Sequence, residues 1–306
     1  MATLATLTEQ DVIALSARLT EPEWLLERRQ EAFKAFSDLE WPTNRDEAWR
    51  FTNPNRFDLT RELVERAAPA ALPGDGEAAR EASAALLRDS GVAAAVRNRL
   101  AAHVALVDAG VATATVTLAA AARGVVAGDL SAAARDHEAV VREALGSAVG
   151  DDGKFAAANL AAFTAGAFVH VPADVELDAP VAVTVQVTRD GAVAPRVLVV
   201  LGPHARAQLY LDHHGDAETT VVEVVEFVLG EGARLDVVTA QDWGPRVDHV
   251  GAHTGRVGAN ADHRHLEVTL GGRTVYLTPD VRLVEPHTIQ RSEGKAKRVI
   301  DKRKMS

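Results

Sequence analysis

The side chains best suited to chemistry fall late in the chain, in groups of histidine with or without carboxylate. Asp212-His213-His214 sets a carboxylate beside two imidazoles, and residues of these types ligate divalent metals. Neighbours on a strand point to opposite sides, so the three are not expected to converge, and the cluster reads as a solvated turn. His249 and His253 would share one side of a strand, as would His263 and His265. Both pairs read as neutral imidazoles on an exposed strand face, unless His263 and His265 turn inward. The expectation is therefore no catalytic, cofactor-binding or metal-ligating residue. Gly230-Glu231-Gly232 and Gly271-Gly272 lack the Lys-Ser/Thr and helix of a phosphate loop and read as turns. Trp24, Trp41, Trp49 and Trp243 read as core or interface anchors.

The elements that carry these residues announce themselves by repetition. Gly202, Gly230 and Gly258 recur every 28 residues, and each is followed three positions later by alanine, at Ala205, Ala233 and Ala261. Strand-like segments 168–171, 181–187, 197–201, 207–211 and 221–229 surround the repeat, which predicts a β-solenoid with glycine at a tight corner and alanine in a narrow interior. Residues 207, 209, 211 and 235, 237, 239 are expected inward, with Arg206, Gln208 and Asp236 outward. In the next coil the same offsets reach His263, His265 and Glu267, whereas Leu266, Val268 and Leu270 hold the apolar alternation. A one-residue bulge near 261–264 is expected to restore the apolar interior. One further period lands on Pro286 and Ile289, where the pattern stops.

Upstream, apolar spacing predicts a helical hairpin over about 11–36, with Pro22 opening its second helix, and a helical turn near 44–51. Residues 71–76 read as a flexible link and 77–102 as helical; strands are expected at 103–107 and 112–118, and a helix capped by Ser131 at 131–145. The division expected is 1–102 N-terminal helical region, 103–164 mixed connecting region, 165–285 solenoid core and 286–306 an atypical basic tail, an α+β fold overall.

Composition narrows the function classes. A formal charge of -10 argues against broad nucleic-acid binding, which draws on clustered Lys and Arg. The absence of cysteine rules out disulfides and thiolate ligands. No run is apolar enough to span a membrane and the N-terminus lacks a signal peptide's pattern, so the expected location is the cytoplasm.

The stretch Glu21-Pro22-Glu23-Trp24-Leu25-Leu26-Glu27-Arg28-Arg29, with Pro42 and Asp46-Glu47-Ala48-Trp49-Arg50-Phe51-Thr52-Asn53, resembles the start of SufD members of the SufB/SufD family. Asn159-Leu160-Ala161-Ala162-Phe163 and Val169-His170-Val171-Pro172-Ala173-Asp174-Val175 are similar to the entry into that family's core, and the Gly-x-x-Ala coils fit it too. The resemblance implies N-terminal helices, a right-handed parallel β-helix and a C-terminal helical domain, which the sequence after about 283 is expected to lack, through a frameshift or misjoined end. It also implies a non-catalytic scaffold for iron–sulfur cluster assembly that pairs with a SufB-like subunit and a SufC-like ATPase, or with itself. The nascent cluster would form on the assembled complex and not on this chain alone. The competing expectation is a carbohydrate-active β-helix enzyme of the polysaccharide lyase type, which would want stacked acidic residues, whereas the 28-residue offsets give Asp212, Ala240 and Val268.

Overall fold

The computed structural model describes residues 2–65, 77–88, 94–150 and 153–283. The link 71–76, the tail 286–306 and the expected break at Pro286 lie outside them.

The helical hairpin forms as its pattern requires. Thr8 and Asp11 make a capping box on Glu9–Leu19, and the helix ends at Thr20 in the left-handed region, φ 51°. Pro22 occupies the N-cap of Glu23–Asp38. The stretch expected as one helix over 131–145 is two, Leu130–Asp136 and Glu138–Ala144, parted at His137. The cap is Asp129, which accepts the Ala132 N–H at 2.9 Å, because the Ser131 hydroxyl is committed to Glu21. Trp24 is buried as an anchor should be, but Trp41 is exposed, packing edge-on against Phe36 and Phe155.

Among the described residues the strands are β1 (Ala102–Val107), β2 (Gly110–Val116), β3 (Val126–Asp129), β4 (Ala165–Val171), β5 (Val181–Val187), β6 (Gly191–Val193), β7 (Pro195–Leu201), β8 (Arg206–Gly215), β9 (Thr219–Leu229), β10 (Arg234–Trp243), β11 (Asp248–Val257), β12 (Asp262–Thr269) and β13 (Thr274–Leu283). They form two facing sheets, ordered β12-β10-β8-β5-β1-β2 and β13-β11-β9-β7-β4-β3, with β6 on β9. Even-numbered β8, β10 and β12 lie in one sheet and β9, β11 and β13 in the other, so each coil gives one strand to each wall of a parallel β-solenoid. The connecting region supplies the other end of the stack. There β2 on β1 and β3 on β4 pair antiparallel, which closes the edges that a run of parallel coils leaves open.

The corners explain the repeat. Ala205, Ala233 and Ala261 donate N–H bonds back to Gly202, Gly230 and Gly258 at 3.1–3.2 Å, and the third residue of each turn, His204, Gly232 or Asn260, has φ of 59°, 64° or 55°. This is the pattern of a type II turn. The repeating glycines do not carry the positive φ; they are needed because corners stack. A Cβ at Gly202, Gly230 or Gly258 would come within 2.5–2.9 Å of the preceding corner's backbone. Ala205 and Ala233 are fully buried beneath.

The inward alternation at 207, 209, 211 and 235, 237, 239 holds. The third coil corrects the sequence expectation, because no bulge occurs. β10 and β12 pair without interruption from Arg234↔Asp262 to Gln241↔Thr269, which places His263, His265 and Glu267 inside. Leu266 and Leu270 stand outside at 60% and 69% exposure. An unbroken parallel ladder is kept, and the interior accepts imidazoles at this level: Phe227 lies against His263 at 5.0 Å and edge-on to His265 at 5.6 Å between ring centres.

The helices cover the outer face of the β4–β13 sheet, where Val222, Val228 and Val250 pack in one cluster with Leu25, Phe36 and Phe163. A buried polar latch pins this layer. Arg196 of β7 binds Glu226 of β9 at 2.5 Å, and Glu226 also accepts the N–H groups of Gly146, Ala148 and Val149 at 3.0–3.1 Å. Asn159 accepts from Arg196 and donates to the carbonyls of Pro195 and Val222. Arg29, fully buried, pairs with Glu21 and donates to the Ala161 and Phe163 carbonyls. Arg29 and Asn159 both lie in the stretches that carry the family resemblance.

Candidate functional site

Interior polarity rises along the solenoid axis. Where β5 faces β7 the interior is Val181, Val183, Val185, Val197 and Val199, all in one apolar cluster. A coil later His213 and Glu223 enter beside Leu209, Leu211, Val225 and Phe227. Then come Thr239, Gln241 and Trp243 with His249 and His253, followed by His263, His265 and Glu267.

Strand parity decides which groups meet. On β8 the odd positions face inward, so His213 enters the interior while Asp212 and His214 stay together on the outer face, 3.0 Å apart. The expectation that the three would not converge is met, but the solvated turn is not. All three lie within β8 and are buried. His249 and His253 do share a side, and it is the inner one: both are buried, not exposed, since β11 pairs residue by residue with β9. Gly251 stands in register with Glu223 between them. A Cβ there would sit 2.7 Å from Leu277 Cδ2 and 3.1 Å from His249 Nε2, so glycine keeps the space for the His249 ring and the Leu277 side chain.

Three imidazoles therefore converge on one carboxylate. His213 Nε2 lies 2.9 Å from both oxygens of Glu223, and His253 Nε2 and His249 Nε2 lie 3.0 and 3.2 Å from Glu223 Oε2. Trp243 Nε1–H donates to His249 Nδ1 at 3.1 Å. His265 Nε2 meets Thr239 Oγ1 at 2.8 Å, and Glu267 approaches His253 Nδ1 at 3.9 Å. The ligand-capable atoms of His213, Glu223 and His253 lie within 4.8 Å of one another, as do those of His253, His265 and Glu267. These are nitrogen–oxygen donor sets of the kind that hold zinc or iron(II).

Burial alone would push the Glu223 carboxyl up. The charge and hydrogen bond of His213, with hydrogen bonds from His249 and His253, outweigh it and hold the group well below the ordinary carboxylate range. Burial pulls His213 down, but Glu223 outweighs it and the imidazole ends above its ordinary value. For His249 burial wins and lowers the group to about 4. His265, half-buried beside His253 and His263, is lowered by its partial burial to about 3.

The sequence contained the signal for this centre. Keeping the 28-residue register unbroken through the third coil would have put His263, His265 and Glu267 inside and directed attention to His213 and His253. The stacked acidic column wanted by a polysaccharide lyase is not formed: Asp212, Ala240 and Val268 stack in register on the outer face, and Asp212 is the sole acid among them.

Comparison with known proteins agrees with the coil geometry. Residues 184–296 match the family model described as SUF system FeS cluster assembly, SufBD core domain, a match that runs past Leu283. An iron–sulfur cluster assembly SufBD family protein of Mycobacterium tuberculosis is 35% identical over 130 residues, 42% of this chain and 32% of the relative. One from Staphylococcus haemolyticus is 24% identical over 296 residues, 91% of this chain and 60% of the relative. A chloroplastic one from Arabidopsis thaliana is 27% identical over 248 residues, 78% and 43%. The chain thus spans about a third to three fifths of the length of these relatives. The solenoid and its repeat lie over the residues of the matched core, and in that part the chain is similar to the SufBD family of iron–sulfur cluster assembly proteins.

Proposed function

We propose that the chain is a SufD-type, non-catalytic scaffold subunit in iron–sulfur cluster assembly, working in the cytoplasm with a SufB-like subunit and a SufC-like ATPase. The observation that carries the reading is the coincidence of the in-register parallel coils with the matched core at 184–296. The SufD branch is favoured by the Pro42 to Asn53 stretch. In the structure this stretch docks on the solenoid, with Trp49 stacked on Tyr276 at 4.0 Å and Tyr276 Oη–H donating to the Ala48 carbonyl at 2.7 Å. The lack of cysteine suits a subunit whose sulfur is supplied by a partner. No helix among the described residues is long and apolar enough to cross a membrane.

Co-expression with SufB and SufC, followed by pull-down and size analysis, tests the reading. Recovery of a complex containing both partners is expected. Recovery of neither, or of a homodimer alone, would contradict the scaffold role with these partners.

A further inference from the structure

The SufBD reading says nothing about the solenoid interior, yet several buried polar atoms there lack partners. Among the described residues, His213 Nδ1, His253 Nδ1 and both polar atoms of the Gln241 amide have no hydrogen-bond partner, and these side chains are at most 1% exposed. Each such atom is costly in a core, about 1–3 kcal/mol. A valine-lined interior was available to the fold, as β5 and β7 show. We propose that the interior holds one divalent first-row transition-metal ion, of the iron(II) or zinc(II) class, ligated by His213, Glu223 and His253.

Tautomers decide the ligand set. A neutral imidazole that gives Nε2 to a metal must carry its proton on Nδ1. His213 and His253 are free to do so, and Glu267 near His253 Nδ1 supplies the carboxylate that commonly orients a ligating histidine. His249 is not free: its Nδ1 accepts the Trp243 N–H, so Nε2 keeps the proton, 3.2 Å from Glu223 Oε2. His249 is therefore a positioning residue that fixes the carboxylate.

Distances agree with a modest adjustment. In a tetrahedral site with bonds of about 2.1 Å, ligand atoms stand roughly 3.4 Å apart. The His213–Glu223 and His253–Glu223 separations are 2.9 and 3.0 Å, so the rings need retreat by about half an ångström. Gln241 is in register with His213, and its amide oxygen offers a further donor. Two imidazoles and one carboxylate are too few oxygen ligands for calcium or magnesium. His263, His265 and Glu267, half-buried in the last described coil, provide a polar route inward.

The inference does not depend on SufB or SufC, so it is tested on the isolated, untagged full chain and can fail or stand independently of the pull-down. The chain is stripped with chelator, exposed separately to anaerobic iron(II) and to zinc(II), desalted and assayed for metal. About one tightly held ion per chain is expected, lost in Glu223→Gln and in His253→Ala, retained in His265→Ala, and held roughly 10–100-fold more weakly in His249→Phe. No tightly held ion in the unaltered chain overturns the proposal. So does retention by Glu223→Gln and His253→Ala, or loss in His265→Ala with retention in Glu223→Gln. Should a variant fail to fold, cobalt(II) in the unaltered chain decides: a four- or five-coordinate nitrogen–oxygen spectrum is expected, and a hexaaquo-like spectrum contradicts the assignment.

Discussion

Glu223 and Glu226 lie three residues apart on one strand, both buried, and serve opposite ends because β-strand parity sends them to opposite faces. Glu226 points out of the solenoid into the helical layer, where one guanidinium and three backbone N–H groups fill its acceptor capacity. Glu223 points inward, among imidazoles that keep nitrogens without partners. The partners differ in one decisive property: an arginine stays charged when its carboxylate is removed, whereas an imidazole can shed its proton. A fixed, fully used carboxylate is a structural latch. A carboxylate among adjustable ligands can accept an incoming cation.

The comparison breaks most readily at the latch. Glu226→Gln keeps the volume but leaves Arg196 buried without its counter-charge and turns an amide N–H₂ toward backbone donors, so a loss of about 3–5 kcal/mol is expected in urea unfolding. A loss below about 1 kcal/mol, the range of exposed pairs, would show that the latch does not hold the layers together.

The outer face of the other sheet extends the comparison to pH. His103 on β1 is wedged between Ser83 Oγ at 2.6 Å and Thr184 Oγ1 at 3.1 Å, and burial, opposed by Asp212, lowers it from 6.5 to about 4. A base whose folded value lies below its unfolded value binds its proton more readily when unfolded. Its contribution is full above about 6.5 and is lost as pH falls toward 4, amounting to roughly 3 kcal/mol. His103→Gln should flatten that part of the acid limb, read as the difference in urea stability between pH 7 and pH 4.5. An unchanged slope would mean that His103 is already protonated in the fold.

A smaller effect is expected in the interior. In metal-free protein the neighbours of Glu223 are imidazoles, which can stand neutral beside an amide, so Glu223→Gln is expected to cost only weakened hydrogen bonds, about 1–2 kcal/mol. A cost matching that of Glu226→Gln would erase the distinction between the two faces.

Much of the fold was legible in sequence because its causes are local or periodic. The 28-residue spacing fixed the stacking, since corner glycines 28 apart touch backbone to backbone, and Pro22 marked the helix start it delivers. The helix cap at Asp129 was missed because Ser131 is drawn off by Glu21, over a hundred residues away. The interior was misread at one step. Leu266, Val268 and Leu270 looked like core by hydrophobicity, and a bulge was invoked to place them there. Backbone ladder pairing outweighed that preference, and the partners that make the histidines acceptable inside, the polar Thr239 and Glu223 and the Phe227 ring, come from other strands. Likewise, nothing in the spacing of Glu223 and Glu226 told that one meets arginine and the other imidazole, because those partners are set by the facing wall and by the helical layer.

The inward register of the third coil underlies the whole centre, and the natural lack of cysteine makes it directly measurable. Leu266→Cys and His265→Cys, each the sole thiol in its chain, are compared for reaction with a thiol reagent under native conditions. The account predicts fast labelling at 266 and protection at 265; protection at 266 with fast labelling at 265 would restore the bulge and dismantle the His–Glu interior.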